Sequence, residues 1–201
     1  MDFFVKKFSH TGIEPVVVVS GLPRSGTSMM MKILEAGGIK PLTDELRAAD
    51  SDNPKGYYEF ERVKKLKDGD TGWLADACGK AVKVISALLP YLPGGYDYRV
   101  VFMQRNISEI LASQRKMLTN RGADTNSVSD AEMAVLFQKH LKQTEMWLNR
   151  TARVQYIFID YNIMLSAPES HLRRLDQFCG GNLNMESMAS GIDPVLYCQR
   201  F

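Results

Sequence analysis

VVVVSGLPRSGTSMMMKILEAGG, residues 16–38, joins an apolar run to a methionine-rich stretch through a small polar turn. The four valines at 16–19 are too few for a helix and too apolar for an exposed strand, so they predict a strand buried on both faces, as in a parallel sheet. From 27 to 36, apolar residues recur at helical spacing, and the two glycines that follow predict the end of the helix. The residues in between therefore form a strand-to-helix turn.

The turn is made of small residues. Gly21, Ser25 and Gly26 leave room for the backbone N–H groups and the positive end of the helix to surround an anion. A phosphate is the anion that such a turn most often holds. The segment is therefore predicted to bind a phosphate.

The spacing of the two glycines, followed by Thr27 and Ser28, fits the phosphate-binding loop of nucleotide-binding proteins in all but one position. Thr27 stands where that loop has a lysine for the terminal phosphates of a nucleoside triphosphate. The positive charge lies earlier, at Arg24, whose planar guanidinium can hold two oxygens at once. The alternative is an arginine on a surface turn.

Residues 23–28, PRSGTS, resemble the 5′-phosphosulfate loop of sulfotransferases, above all the form found in tyrosylprotein sulfotransferases and many bacterial relatives. The basic residue of that form is likewise an arginine. These enzymes use 3′-phosphoadenosine 5′-phosphosulfate (PAPS) as co-substrate and need no metal. The resemblance implies that the cofactor-binding residues here are Arg24, Ser25, Gly26, Thr27 and Ser28.

A second segment, residues 98–118, begins with an apolar strand and continues as a helix. Asn106 and Glu109 have the spacing of a helix cap and its reciprocal carboxylate. Arg105 then falls at the carboxyl end of a strand, where open α/β sheets bind ligands. Sulfotransferases hold the 3′-phosphate of PAPS with an arginine at this strand end and a serine eight residues later, and the resemblance gives these roles to Arg105 and Ser113. The proline that usually follows the arginine in the family is missing, and by itself the pair is also compatible with an ordinary surface arginine and helix serine.

A third match is looser. Lys83, in the segment 80–93, resembles the lysine of the Lys-Thr-His pattern of cytosolic sulfotransferases, which contacts the transferred sulfonate. Ile85 occupies the histidine position of that pattern, and it cannot take a proton. The three histidines have no recognisable site context and are interpreted as structural or solvated: His10, His140 and His171.

The catalytic base is therefore sought among carboxylates between the first helix and the lysine strand. Glu45 lies about as far from the phosphate loop as the Glu-x-Arg of tyrosylprotein sulfotransferases. Glu59 ends NPKGYYE, residues 53–59, which resembles a signature of bacterial sulfotransferase-like proteins. We prefer Glu59, because a helix start beside aromatic residues can partly desolvate a carboxylate. An ordinary turn followed by a charged helix remains the alternative for either glutamate.

The composition predicts one intracellular domain spanning residues 1–201, since no linker, repeat or low-complexity tract divides the chain. The net charge of +2, with mixed signs along the chain, gives no reason to expect nucleic-acid binding. The first residues lack an apolar core for secretion and no run approaches a membrane span, so a cytoplasmic location away from membranes is expected. Free thiols are expected because the cysteines share no metal-binding spacing. They are Cys78, Cys179 and Cys198.

Strands alternate with helices, which predicts a three-layer α/β/α sandwich around a mainly parallel sheet, of the P-loop nucleotide-binding type. Ser129 and Glu132 form a capping box that opens a long helix over 129–150. A strand at 154–160 and a helix at 166–179 follow. The apolar face of the long helix is predicted to lie in the core, with Met133, Leu136, Phe137, Leu141, Trp147 and Leu148.

The predicted function is transfer of a sulfonate from PAPS to a hydroxyl or amine of a small-molecule or peptide acceptor. A kinase or nucleotide hydrolase is the main alternative, because Asp160 ends an apolar strand and could hold magnesium beside ATP. A catalytically silent nucleotide-binding protein is the other. The acceptor and the oligomeric state are not readable, and the glycine-rich carboxyl-terminal cofactor segment of cytosolic sulfotransferases is not recognisable.

Overall fold

A computed structural model describes residues 12–44, 58–120, 122 and 129–192. Several predictions fall outside these ranges. They concern His10, Glu45, residues 53–57 of the NPKGYYE segment, and Cys198.

The described strands form a parallel sheet in the order β2-β1-β3-β4. The valine strand is interior, as its composition predicts, and all six of its residues are buried. Val19 lies opposite Lys83, and Gly21 lies opposite Met103. The loop after β1 therefore opens at the same edge as the ends of its two neighbours. The strands are β1 (Val16–Gly21), β2 (Ala81–Lys83), β3 (Tyr98–Gln104) and β4 (Val154–Asp160).

Helices cover both faces of the sheet, which confirms the predicted α/β/α layering. Alternate valines of β1 point to opposite sides. Val17 and Val19 pack against helices on one side of the sheet, whereas Val16 and Val18 pack with Trp73 on the other side. The helices are α1 (Thr27–Ala36), α2 (Leu74–Ala77), α3 (Ile107–Asn120), α4 (Asp130–Arg150), α5 (Tyr161–Ser166), α6 (Glu169–Cys179) and α7 (Met185–Ser190), with 3₁₀ helices at Glu61–Asp68 and Ser86–Tyr91.

The long helix α4 has the predicted capping box, in which the Ser129 hydroxyl accepts from the Glu132 N–H. The prediction of its core face is wrong in the first half, where Leu136 is 55% exposed. The buried residues of α4 are Thr144 and Leu148. The helix has 21 residues, about 31 Å at 1.5 Å per residue, and exceeds the seven-residue strands beside it. Seven strand residues span about 23 Å, so the helix is longer than the strands by about 8 Å. Its buried residues lie in its second half.

None of the helices in the part of the chain that the structure describes is both long and apolar enough to cross a bilayer. Cys78 and Cys179 are free thiols, and burial raises the pKa of Cys179 to about 12.

Candidate functional site

The turn after β1 depends on two glycines. Gly21 has φ +151°, and a Cβ there would lie 2.9 Å from the carbonyl oxygen of Met103. Gly26 has φ +95°, and a Cβ there would overlap the ring of Tyr161. Both positions therefore require glycine for space as well as for backbone conformation. The strand, turn and helix lie where the sequence predicts them.

The start of α1 is open to an anion. No side chain among the described residues caps it, and Gly26 is its N-cap. The Met30 N–H donates to the Gly26 carbonyl at 3.1 Å, so the backbone N–H groups that precede Met30 in the first turn point out of the helix start. The Ser25 hydroxyl is buried and has no hydrogen-bond partner within the described ranges. These donors fit the oxygens of a phosphate or sulfonate group.

Arg24 connects this turn to α3. Its backbone has φ +69°, and its Nε donates to the Ser113 hydroxyl at 3.0 Å. The structure therefore brings together two predicted cofactor residues that are 89 positions apart.

Arg105, at the end of β3, is held on several sides. Its Nε donates to Glu109 Oε2 at 2.9 Å, and its Nη1 donates to the Arg24 carbonyl at 3.0 Å. The guanidinium carbon lies 4.4 Å from the centre of the Tyr161 ring. Only 7% of the Arg105 side chain is exposed. Arg24, Arg105 and Ser113 thus form one cluster beside the glycine turn.

Of the two residues predicted to cap α3, Asn106 binds the start of the helix and Glu109 does not. The Asn106 carboxamide oxygen accepts from the backbone N–H and from the hydroxyl of Ser108, at 2.9 and 2.6 Å. The Glu109 carboxylate instead contacts Arg105, and its Oε1 accepts from Asn162 Nδ2 at 2.9 Å. Burial explains the change, because a carboxylate with 5% exposure is far better paired with an arginine than with a neutral amide N–H.

Sequence reasoning missed three residues around Arg105. Glu109 carried a usable signal, since an arginine just before a helix and a glutamate four residues later, in its first turn, are close enough to form an ion pair. Tyr161 and Asn162 carried none, because their contacts with the cluster depend on the pairing of β4 with β3.

Lys83 ends β2 on the other side of the turn. Its Nζ donates to the Ser28 hydroxyl at 3.3 Å. Ser28 lies in the first turn of α1, so a charge at Lys83 lies beside the helix start that faces the anion.

Glu59 lies next to the β2 edge of the sheet. Its carbonyl accepts from the Thr43 hydroxyl at 2.9 Å and from the Asp44 N–H at 3.4 Å. These two residues follow Pro41, which pairs in parallel with the first residue of β2. The Glu59 carboxylate is 19% exposed and lies 3.6 Å from Lys64 Nζ. Glu59 is thus partly desolvated, as expected, and it is held beside the strand that carries the predicted sulfonate lysine.

The residue before Glu59 is anchored on α1. Tyr58 has φ +50°, an uncommon conformation for an aromatic residue, and its hydroxyl donates to Glu35 Oε2 at 2.5 Å. Burial, followed by this hydrogen bond, raises the pKa of Tyr58. The backbone at the candidate base is therefore fixed from both sides.

Asp160, the residue of the magnesium alternative, caps a helix. Its carboxylate accepts from the Ile163 N–H at 2.9 Å at the start of α5. Its own N–H donates to His171 Nε2 at 3.3 Å, and burial, followed by the charge of Arg174, lowers the pKa of His171.

In the other layer, His140 Nε2 lies 2.8 Å from the Ser86 hydroxyl, and burial lowers the pKa of His140. Both described histidines thus have structural contacts, in agreement with their interpretation from sequence.

A cavity of about 480 Å³ opens at the ends of β3 and β4. It reaches Arg105 and would admit part of a nucleotide. Residues along its wall include Leu22, Gln104, Arg105, Asn106 and Asn162.

Comparisons with known proteins concern the family and the fold. The family model of the sulfotransferase domain matches residues 14–195. The sulfotransferase domain of the Synechococcus PCC 7002 olefin synthase is similar in fold, with 13% identity, a TM-score of 0.57, and coverage of 96% of this chain and 90% of that one. Sulfotransferase STF1 from Mycobacterium tuberculosis H37Rv has 17% identity, a TM-score of 0.57, and coverage of 94% and 74%. No curated protein matches the chain in sequence.

Proposed function

We propose that this chain, which belongs to the sulfotransferase domain family, transfers a sulfonate group from PAPS to a hydroxyl or amine acceptor. Family and fold support sulfonate transfer in general. The donor, the acceptor and the catalytic base are the parts that we add.

The observation that carries the proposal is the contact between Arg24 and Ser113. PAPS has phosphate groups at the 3′ and 5′ positions of one ribose, so a protein that binds it needs two anion sites side by side. The glycine turn supplies the first site. Arg105 and Ser113, joined to the turn through Arg24, supply the second.

The glycine turn suits the 5′ end of this ligand. The buried Ser25 hydroxyl, the N–H groups at the start of α1 and Lys83 together supply donors and positive charge for a phosphosulfate. An ordinary phosphate-binding loop would need a lysine at Thr27, whereas here positive charge comes from Arg24 and Lys83. The residues thus fit PAPS better than a nucleoside triphosphate.

The proposed reaction is an in-line displacement. PAPS supplies the electrophilic sulfur and, as its sulfur–oxygen bond breaks, the leaving group adenosine 3′,5′-bisphosphate (PAP). Glu59 accepts the proton of the acceptor as the acceptor oxygen or nitrogen bonds to sulfur. Lys83 and the N–H groups at the start of α1 stabilise the negative charge on the departing 5′-phosphate.

The ATP alternative has less support. The Asp160 carboxylate is used as a helix cap, and β4 is separated from β1 by β3. That alternative also assigns no task to the cluster of Arg24, Arg105 and Ser113. A silent nucleotide-binding protein would use the same cluster without turnover, so only an assay with acceptors separates it from an enzyme.

The proposal is tested by incubating the protein with ³⁵S-labelled PAPS and panels of phenols, aliphatic alcohols, amines and tyrosine-containing peptides. We expect labelled product in at least one class with the parent protein, and much less with Arg105→Ala at a PAPS concentration that does not saturate this variant. Magnesium-dependent transfer of ³²P from ATP, without any ³⁵S transfer, would instead favour a kinase.

A further inference from the structure

We infer that Glu109 is a positioning residue that orients Arg105 toward the 3′-phosphate of the nucleotide, and that Asn162 holds Glu109 in place. The inference rests on the proposed function and adds to it a specific role for two residues outside the predicted site. It predicts that Glu109 affects recognition of one phosphate and leaves the rest of the nucleotide unaffected.

The first support is the direction of the hydrogen bonds. A guanidinium is planar, and its donors leave it in fixed directions. The Glu109 carboxylate accepts a hydrogen bond from Arg105 Nε, and the Arg24 carbonyl accepts one from Arg105 Nη1. With two donors bound at fixed angles and the Tyr161 ring 4.4 Å from the guanidinium carbon, the plane of the Arg105 head group is determined.

The second support is the burial of the pair. The side chains of Arg105 and Glu109 are 7% and 5% exposed. A buried arginine whose carboxylate is removed keeps an uncompensated charge and must change its orientation or draw in water. The pair therefore restricts Arg105 much more than an exposed ion pair would.

The third support is that both carboxylate oxygens of Glu109 are used. Oε2 binds Arg105, while Oε1 accepts from Asn162 at 2.9 Å. Asn162 lies in α5, directly after β4, whereas Arg105 directly follows β3. The Glu109 carboxylate is therefore held by residues that follow two different strands. Asn162 also lines the 480 Å³ cavity that reaches Arg105. The orientation of the arginine thus depends on the β3–β4 pairing.

The test compares two ligands that differ by one phosphate. Binding of PAP and of adenosine 5′-monophosphate (AMP) is measured by calorimetry for the parent, Glu109→Gln, Glu109→Ala and Asn162→Ala. We expect Glu109→Ala to weaken PAP about tenfold and to leave AMP unchanged, with a smaller loss for Glu109→Gln, which keeps one acceptor oxygen, and for Asn162→Ala. The matched control is Glu169→Ala, which removes another i, i+4 partner of an arginine, with 86% of its side chain exposed.

A double variant shows whether Glu109 acts through Arg105. In the Arg105→Ala background, Glu109→Ala should weaken PAP binding no further. For Glu109→Ala in the otherwise unchanged protein, equal losses for PAP and AMP would mean a merely structural role, and unchanged or tighter PAP binding would overturn the inference. If Glu109→Ala does not fold, Glu109→Gln and Asn162→Ala give the same comparison. A parent protein that does not bind PAP would refute the proposed function itself. If the parent prefers PAP to AMP and every variant keeps the same ratio of the two affinities, only the role of Glu109 is refuted.

Discussion

The Nε of Arg24, in the turn after β1, donates a hydrogen bond to the hydroxyl of Ser113, in the second turn of α3, at 3.0 Å. The bond joins the residue predicted to contact the 5′ end of the nucleotide to one predicted to contact its 3′-phosphate. Because β1 and β3 are neighbours in the sheet, the two segments meet at one edge.

Removing either arginine should weaken nucleotide binding. Arg24→Ala and Arg105→Ala should each reduce the binding free energy of PAP by about 1.5 to 3 kcal/mol, as expected for charged hydrogen bonds to a phosphate. Thr27→Lys should not improve binding. Calorimetry gives the values, with Arg173→Ala as an exposed control. If both alanine variants bind PAP like the parent, the assignment of these two segments is wrong.

Gly26 should tolerate a side chain less well than another glycine with positive φ. Gly26→Ala forces the new Cβ against the ring of Tyr161, whereas Gly38, with φ +110°, has no neighbour within 4 Å of a Cβ. Gly38→Ala should lower the free energy of unfolding by about 1 to 2 kcal/mol, the cost of the left-handed conformation alone. Gly26→Ala should cost more and should also weaken PAP binding. Equal losses in urea unfolding would contradict the close contact with Tyr161.

The candidate base is tested with two isosteric variants. Glu59→Gln keeps shape and hydrogen bonding but cannot accept a proton, so turnover should fall by about 10²-fold or more while PAP affinity stays nearly constant. Glu45→Gln is the control, and steady-state kinetics with the best acceptor gives both values. The opposite pattern, in which Glu45→Gln abolishes turnover and Glu59→Gln does not, would transfer the role to Glu45. Loss of PAP binding in either variant would indicate a structural role.

Acid should destabilise the fold through His171. Burial lowers its pKa, so the folded protein holds the ring neutral while the unfolded chain binds a proton below its ordinary pKa of about 6.5. The contribution of neutral His171 to the free energy of unfolding is complete above pH 6.5. It is lost as the pH falls from 6.5 toward the lower pKa that His171 has in the folded protein. The slope of unfolding free energy against pH should therefore be shallower in His171→Gln, whose amide oxygen can still accept from the Asp160 N–H. An unchanged slope between pH 7 and 5 would exclude this role, and His140→Gln measures separately the similar effect of the other described histidine.

The parts of the fold that could be predicted are those with local signals. The valine strand, the glycine turn and α1 follow from composition and helical spacing within residues 16–38. The interval between Arg105 and Ser113 is likewise visible in the sequence. The contact of Arg24 with Ser113 cannot be predicted from the sequence, because it depends on which strands are neighbours.

The face of α4 shows another limit. Its apolar spacing correctly predicts a helix, but spacing does not tell how far the sheet extends beneath it, so Leu136 was wrongly assigned to the core. Glu109 shows a third limit, since the same glutamate could serve as a cap partner or as an ion-pair partner. Only its burial beside Arg105 decides between them.

Calorimetric titration with PAP in the presence of EDTA tests the central claim most directly. The account predicts that PAP binds without magnesium, more tightly than AMP, and that Arg105→Ala removes most of this preference. Binding of ATP that requires magnesium, together with no detectable binding of PAP, would contradict it.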